Sequence, residues 1–199
     1  MRCSMLRERC GRFTSHSTPS FRFSRPTLSR GEAYEFLKLG CHLERADVIA
    51  RILDVQYPSA SMYLAESREE TVGLTALVKS CGAFEAFRKA ENPVLRAERV
   101  LEFLLLDEAC PRSVLFCLNA CLGSLSAIAG SSDRAERAIG RLASELSFLD
   151  TSSLSGEGAR GLLHRVLGAI ADASSEIENT YFTTRVIVAG AYAQAQQQQ

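Results

Sequence analysis

Residues 39–55 read LGCHLERADVIARILDV. Apolar side chains recur there at three- and four-residue spacing, which is the period of an α-helix. At about 100° per residue the helix sorts into four arcs. Leu39, Leu43, Ala46, Ala50, Leu53 and Tyr57 make one apolar flank, and Leu37, Cys41, Val48, Ile52 and Val55 make another. Lys38, His42, Arg45 and Gln56 share a polar arc with Ile49, and this arc reads as the solvent face. Opposite it, between the two flanks, lie Gly40, Glu44, Asp47, Arg51 and Asp54. A second polar stripe between apolar flanks is expected to face the bundle interior or a groove. An isolated buried ion costs several kcal/mol even after relaxation, so these charges must be paired, hydrated or bound. One reading is an internal ion-pair network, with Arg51 meeting Glu44 and Asp47. The other is a groove that presents carboxylates and a guanidinium to a polar ligand or a partner.

The same period extends in both directions. Ser29-Arg30-Gly31-Glu32 has capping-box spacing, so the first helix is predicted over 30–57, stopping before Pro58. Ser67-Arg68-Glu69-Glu70 opens a second helix to about residue 80, Gly82 breaks it, and AFEAFRKA forms a short third. Asn92-Pro93 starts a helix through LRAERVLEFLLLD. Pro111 suits the first turn of RSVLFCLNACLGSLSAIA, where its missing amide would be unpaired anyway, and Gly130 ends that helix. Ser132-Asp133 caps the next helix, and a last long one is predicted over 157–182. No alternating strand pattern of useful length occurs. The expectation is an all-α, compact bundle of six or seven helices. The helix at 111–129 is apolar nearly all round and should be central.

Charge divides the chain. Residues 1–30 hold seven arginines and one acid, and the remainder carries a net charge of −6. The first 26 residues, rich in Arg and Ser, are expected to be a disordered or foreign extension, with a targeting segment as the other reading. Residues 27–184 are the expected helical domain, and 185–199, ending in AQAQQQQ, a low-complexity tail. The mildly acidic body argues against nucleic acid. No apolar run reaches the roughly 20 residues that span a bilayer. Seven cysteines without a CxxC suit a reducing, cytoplasmic setting better than a disulfide framework. Cys117 and Cys121 share a helix face, but with no histidine near in sequence they read as small buried hydrophobes. No metal site or cofactor motif is expected.

Three polar positions stand out beyond the first helix. Arg112 falls where a helix dipole disfavours a cation, so it should either pair with Asp107 or reach the carboxylates of the first helix. Asn119 lies among apolar neighbours and needs a partner if buried. His42 and His164 have no nucleophile pattern around them, and no phosphate loop, dinucleotide fingerprint or catalytic serine motif is present. No catalytic residue can be assigned. The candidate binding residues are Gly40, Glu44, Asp47, Arg51, Asp54, Asp107 and Arg112.

With these residues placed, TLSRGEAYEFLKLGCHLERADVIARILDVQY resembles the signature helix of the bacterial alpha-E domain family. LVKSCGAFEAFRKA and VLEFLLLDEACPRSVLFCL resemble its following segments in the same order. The resemblance covers residues 27–182 and is to the second half of a family whose members are helical and carry an LER-type helix in each half. It highlights Gly40, Glu44, Arg45, Asp47, Arg51, Asp107, Pro111, Arg112 and Ser113. The chain departs from the pattern at Cys41 and His42, where an arginine and an aromatic are expected, and it has no Trp. Loss of an arginine at position 41 would weaken anion binding. The resemblance implies an accessory interaction module of a peptide-synthesis or modification system, partnered by an ATP-grasp amidoligase or a transglutaminase-like protein. The alternatives are an enzyme using the Glu44/Asp47/Arg51 groove and a nonfunctional fragment.

Overall fold

The computed structural model describes residues 28–61, 68–90, 94–128, 133–149 and 156–182. The expected extension at 1–26, Ser67 and Ser132 as caps, and the tail lie outside those residues. Seven α-helices occur among them: α1 Glu32–Ser61, α2 Arg68–Ser80, α3 Phe84–Lys89, α4 Ala97–Leu106, α5 Val114–Ala127, α6 Arg134–Ser147 and α7 Gly156–Ile177. A π-helical turn, Glu178–Phe182, follows α7. None of the described residues forms a strand. No helix among them is long and apolar enough to cross a membrane.

α1 is the spine, about 45 Å long at 1.5 Å per residue. It packs against α2, α4, α5 and α7. α5 is its main partner and also touches α4 and α6. The core between them is Leu39, Leu43, Ala46, Ala50 and Leu53 of α1 against Val114, Leu118, Cys121 and Leu125 of α5. α6 buries Ala135, Ile139, Leu142, Ala143 and Leu146, an amphipathic face at helical spacing. Tyr181 and Phe182 close the far end on Phe36, with ring centroids 5.2 and 5.5 Å away.

Several boundaries differ from the sequence reading. The amides of Tyr34 and Glu35 bond to the Gly31 carbonyl, so α1 starts one residue after Gly31. It also runs through Pro58 to Ser61, because a proline in the last turn forfeits a single amide bond. α4 starts at Ala97, after extended backbone at Arg96. Pro111 and Arg112 form a turn before α5, whose N-cap is Ser113. α5 buries most of its surface but leaves a wet strip at Asn119, Gly123 and Ser126, so Asn119 needs no buried partner.

The orientation of α1 is the larger correction. The flank through Leu39 and Leu53 is buried as expected, but the arc assigned to solvent is not wet: His42 and Ile49 are buried. On that side His42 lies against Phe116 of α5, with ring centroids 6.0 Å apart, and Ile49 lies beside the α2 turn and the loop before α5. The outward face instead carries Glu44 and Arg51, with Val48 and Val55 at 41% and 72% exposure.

Candidate functional site

α2 ends because Gly82 adopts φ +67°, the left-handed region that glycine enters without strain. The Gly82 amide bonds to the Lys79 carbonyl and the Ala83 amide to the Val78 carbonyl, which is the Schellman closure of a helix C-terminus. The turn sets Ser80 and Cys81 beside the middle of α1.

The loop from Asp107 to Ser113 arrives on the same side. Asp107 Oδ1 accepts from the Ala109 and Cys110 amides at 3.0 and 2.6 Å. The Ser113 hydroxyl donates to the Asp107 carbonyl and accepts from the Phe116 amide, so one fully buried side chain ties the loop and caps α5. Arg45 of α1 reaches across and donates from Nη1 to the Pro111 carbonyl at 3.2 Å. Thus braced, Arg112 lies over the α2 turn. A Cβ built on Gly82 would meet Arg112 Cζ at 3.6 Å.

These segments enclose a shallow groove of about 200 Å³. Cys41, Glu44 and Arg45 line it from α1, and Val48, Ile49 and Ile52 form its apolar wall. Ser80, Cys81 and Arg112 complete it. Its charged lining is two guanidiniums and one carboxylate. Burial pushes the Cys81 thiol up to about 12, against the pull of the Arg112 guanidinium. Burial likewise raises Cys117, behind the groove, to about 11, against Arg45 and Arg112. Both are thiols, not thiolates, at neutral pH, which makes them poor nucleophiles. Among the described residues, Cys41, Cys81, Cys110, Cys117 and Cys121 form no disulfide.

The candidate residues separate. Glu44 and Arg112 come together in the groove, although they are far apart in sequence. Asp107 serves the loop backbone, and no ion pair to Arg112 occurs among the described residues. Asp47 and Arg51 lie outside the groove lining, and Arg51 grips both Asp47 oxygens at 2.7 and 2.8 Å. Asp47 is the buried member of the stripe at 7% exposure, whereas the Arg51 side chain is 55% exposed. Asp54 turns toward α7, where His164 Nε2 lies 3.2 Å from its Oδ1. Gly40 is exposed, and an added Cβ there would meet nothing within 4 Å, so neither tight packing nor a close backbone approach explains it.

Sequence reasoning missed Ser80 and Cys81 in the groove and the Asp54–His164 contact. None had a local signal, because each depends on which helices become neighbours.

Together these features define an all-helical bundle in which three sequence-remote segments, around LERAD, KSCG and PRS, converge on one charged groove. A family model described as Alpha-E, a predicted alpha-helical domain with a conserved ER motif, matches residues 7–182, and the chain belongs to that family. The match starts inside the Arg- and Ser-rich segment. No curated protein and no solved structure matches the chain. Three Glu-Arg pairs fall in the described residues, at 44–45, 98–99 and 136–137. Arg99 pairs with Glu102 and Arg137 with Asp133, each on its own helix. Arg45 bonds to the Pro111 carbonyl, 66 residues away, and lines the groove.

Proposed function

We propose that the chain is an accessory interaction module of a peptide-synthesis or peptide-modification system. Its partner is an ATP-grasp amidoligase or a transglutaminase-like protein, and its setting is the cytoplasm. The partner's identity rests on the family resemblance. The single observation that carries an interaction role is the outward ridge of α1. Val48 and Ile52 line the charged groove, Val55 follows one turn further along the helix, and Val48 and Val55 are well exposed. Branched apolar side chains in a row on a long rigid helix, flanked by Glu44 and Arg51, have the composition of a docking face with a polar rim.

The test is co-purification with the amidoligase encoded in the same gene neighbourhood. The wild type and Glu44→Gln are expected to bring it down equally, and Val55→Glu to lose it. Retention by Val55→Glu, or no co-purification of the wild type, would overturn the docking face. Loss with Glu44→Gln together with ligand-dependent stabilisation of the wild type would instead favour a small-molecule site.

A further inference from the structure

We propose that the groove between α1, the α2 turn and the Asp107–Ser113 loop is a receptor for the C-terminal carboxylate of a peptide ending in an aliphatic residue. The groove shares Val48 and Ile52 with the α1 ridge, but its recognition group is Arg112, so a chain end can bind there whether or not the ridge docks a partner.

The charge distribution comes first. The chain outside residues 1–30 carries a net charge of −6, yet the groove's lining has two arginines against Glu44. A positive spot on an acidic body attracts an anion and sets its orientation. Arg112 provides the recognition group. It makes no ion pair with a carboxylate among the described residues, and its guanidinium rests over Gly82, with Cζ, Nε and Nη2 at 3.6, 3.8 and 3.8 Å from where a Cβ there would stand. A guanidinium held this way offers a carboxylate two parallel N–H donors. Arg45 is already committed through Nη1 to the Pro111 carbonyl, so it steadies the loop that carries Arg112.

The walls narrow the ligand class. Val48, Ile49 and Ile52 face the same space as the guanidinium. The ligand must therefore present an apolar branch and an anion within a few ångströms of each other. A C-terminal aliphatic residue carries both on one Cα. The volume of about 200 Å³ is below the roughly 300–1,000 Å³ usual for whole small-molecule ligands, so the groove suits a chain end. A phosphate would satisfy Arg112 but leave the apolar wall unused.

The experiment uses the full chain and fluorescence anisotropy of a labelled peptide ending in Ala-Val. The peptide is compared as the free acid and as the C-terminal amide, with N-acetylvaline and inorganic phosphate as competitors. The acid is expected to bind roughly tenfold or more tighter than the amide, and N-acetylvaline to compete better than phosphate. Arg112→Gln, whose thermal melt should match the wild type because the side chain is exposed, is expected to erase the difference between acid and amide. Arg112→Lys should restore part of it, since an ammonium keeps the charge but loses the fork. Equal binding of acid and amide, or an acid preference that survives in Arg112→Gln, would overturn the proposal. So would phosphate competing as well as N-acetylvaline, or no saturation by the acid. Arg112→Gln should still co-purify the amidoligase, so failure of the carboxylate site is distinguishable from failure of the docking face.

Discussion

Arg112 rests on Gly82: the guanidinium carbon lies 3.6 Å from the position a Cβ would occupy on that glycine. The two residues come from different connections, yet each constrains the other. The contact distance is ordinary van der Waals spacing, so the cost of a side chain at 82 comes from its φ of +67°. Gly82→Ala should destabilise the fold by roughly 1–2 kcal/mol, and Gly82→Asn by less, since asparagine tolerates the left-handed region. Urea unfolding followed by circular dichroism measures both. Equal stability of all three proteins would mean that the α2 turn is not built as described.

Ser113 joins the fold to the site. It caps α5 through the Phe116 amide and holds the Asp107 carbonyl, at zero exposure. Ser113→Ala removes a cap and leaves the half-buried Asp107 carbonyl short of a donor, for a loss of about 2 kcal/mol. Ser113→Thr keeps the hydroxyl and separates this effect from simple loss of polarity. A denaturation midpoint unchanged in the alanine variant would contradict the double role.

The Asp47–Arg51 pair is bidentate but half open to water, so a double-mutant cycle should return a coupling of only about 0.2–1 kcal/mol. Glu44 is exposed on the same helix, and Glu44→Ala should change stability by no more than about 0.5 kcal/mol. A loss of several kcal/mol from either measurement would restore the reading of the stripe as a buried ion network.

Gly40 sits in the middle of α1 with no neighbour near its missing Cβ. Gly40→Ala is therefore expected to stabilise the protein by roughly 0.5–1 kcal/mol through helix propensity alone. A destabilised variant would reveal something that approaches the backbone there, and hydrogen exchange of α1 would locate it.

Alkaline stability should report the buried thiols. Cysteine ordinarily titrates near 9.0, and folding raises Cys81 to about 12 and Cys117 to about 11. The folded state keeps these protons while the unfolded chain loses them. Their contribution is complete below pH 9 and is lost as pH rises toward the folded values. Near ~pH 10 each accounts for about 1 kcal/mol of lost stability. Tyr57, raised by burial from 10.0 to about 12, adds the same trend at higher pH. Melting temperatures should fall steeply above pH 9, with a shallower slope in Cys81→Ala. An identical slope in that variant would remove Cys81 from the account.

Much of the helix pattern was legible in the residues. α2 and α3 follow from the acids of their first turns, the glycine break at Gly82 and the apolar spacing on either side, whereas the last helix, expected over 157–182, ends as an α-helix at Ile177 and continues as a π-helical turn to Phe182. Those features act within one or two turns, so the local sequence holds the information. The same holds for Asp47 and Arg51, one turn apart on a single helix. Starts near proline were less legible. Pro58 was tolerated inside a last turn, and Pro111 served a turn rather than a helix.

What the residues of α1 could not specify was which of its sides would be covered. Its two apolar flanks and two polar stripes allow more than one burial. The choice fell to α5, whose Phe116 lies against His42, and to the α2 turn and the loop before α5, which lie beside Ile49, with Glu44, Val48 and Val55 left outward. By itself, then, the sequence determined the helices, their amphipathic faces and the Asp47–Arg51 pair, because periodicity and i,i+4 geometry are local. The tertiary structure decided the rotation of α1 and the meeting of Glu44, Arg45, Cys81 and Arg112 in one groove. Packing is a competition among surfaces distant along the chain, and its outcome depends on all of them at once.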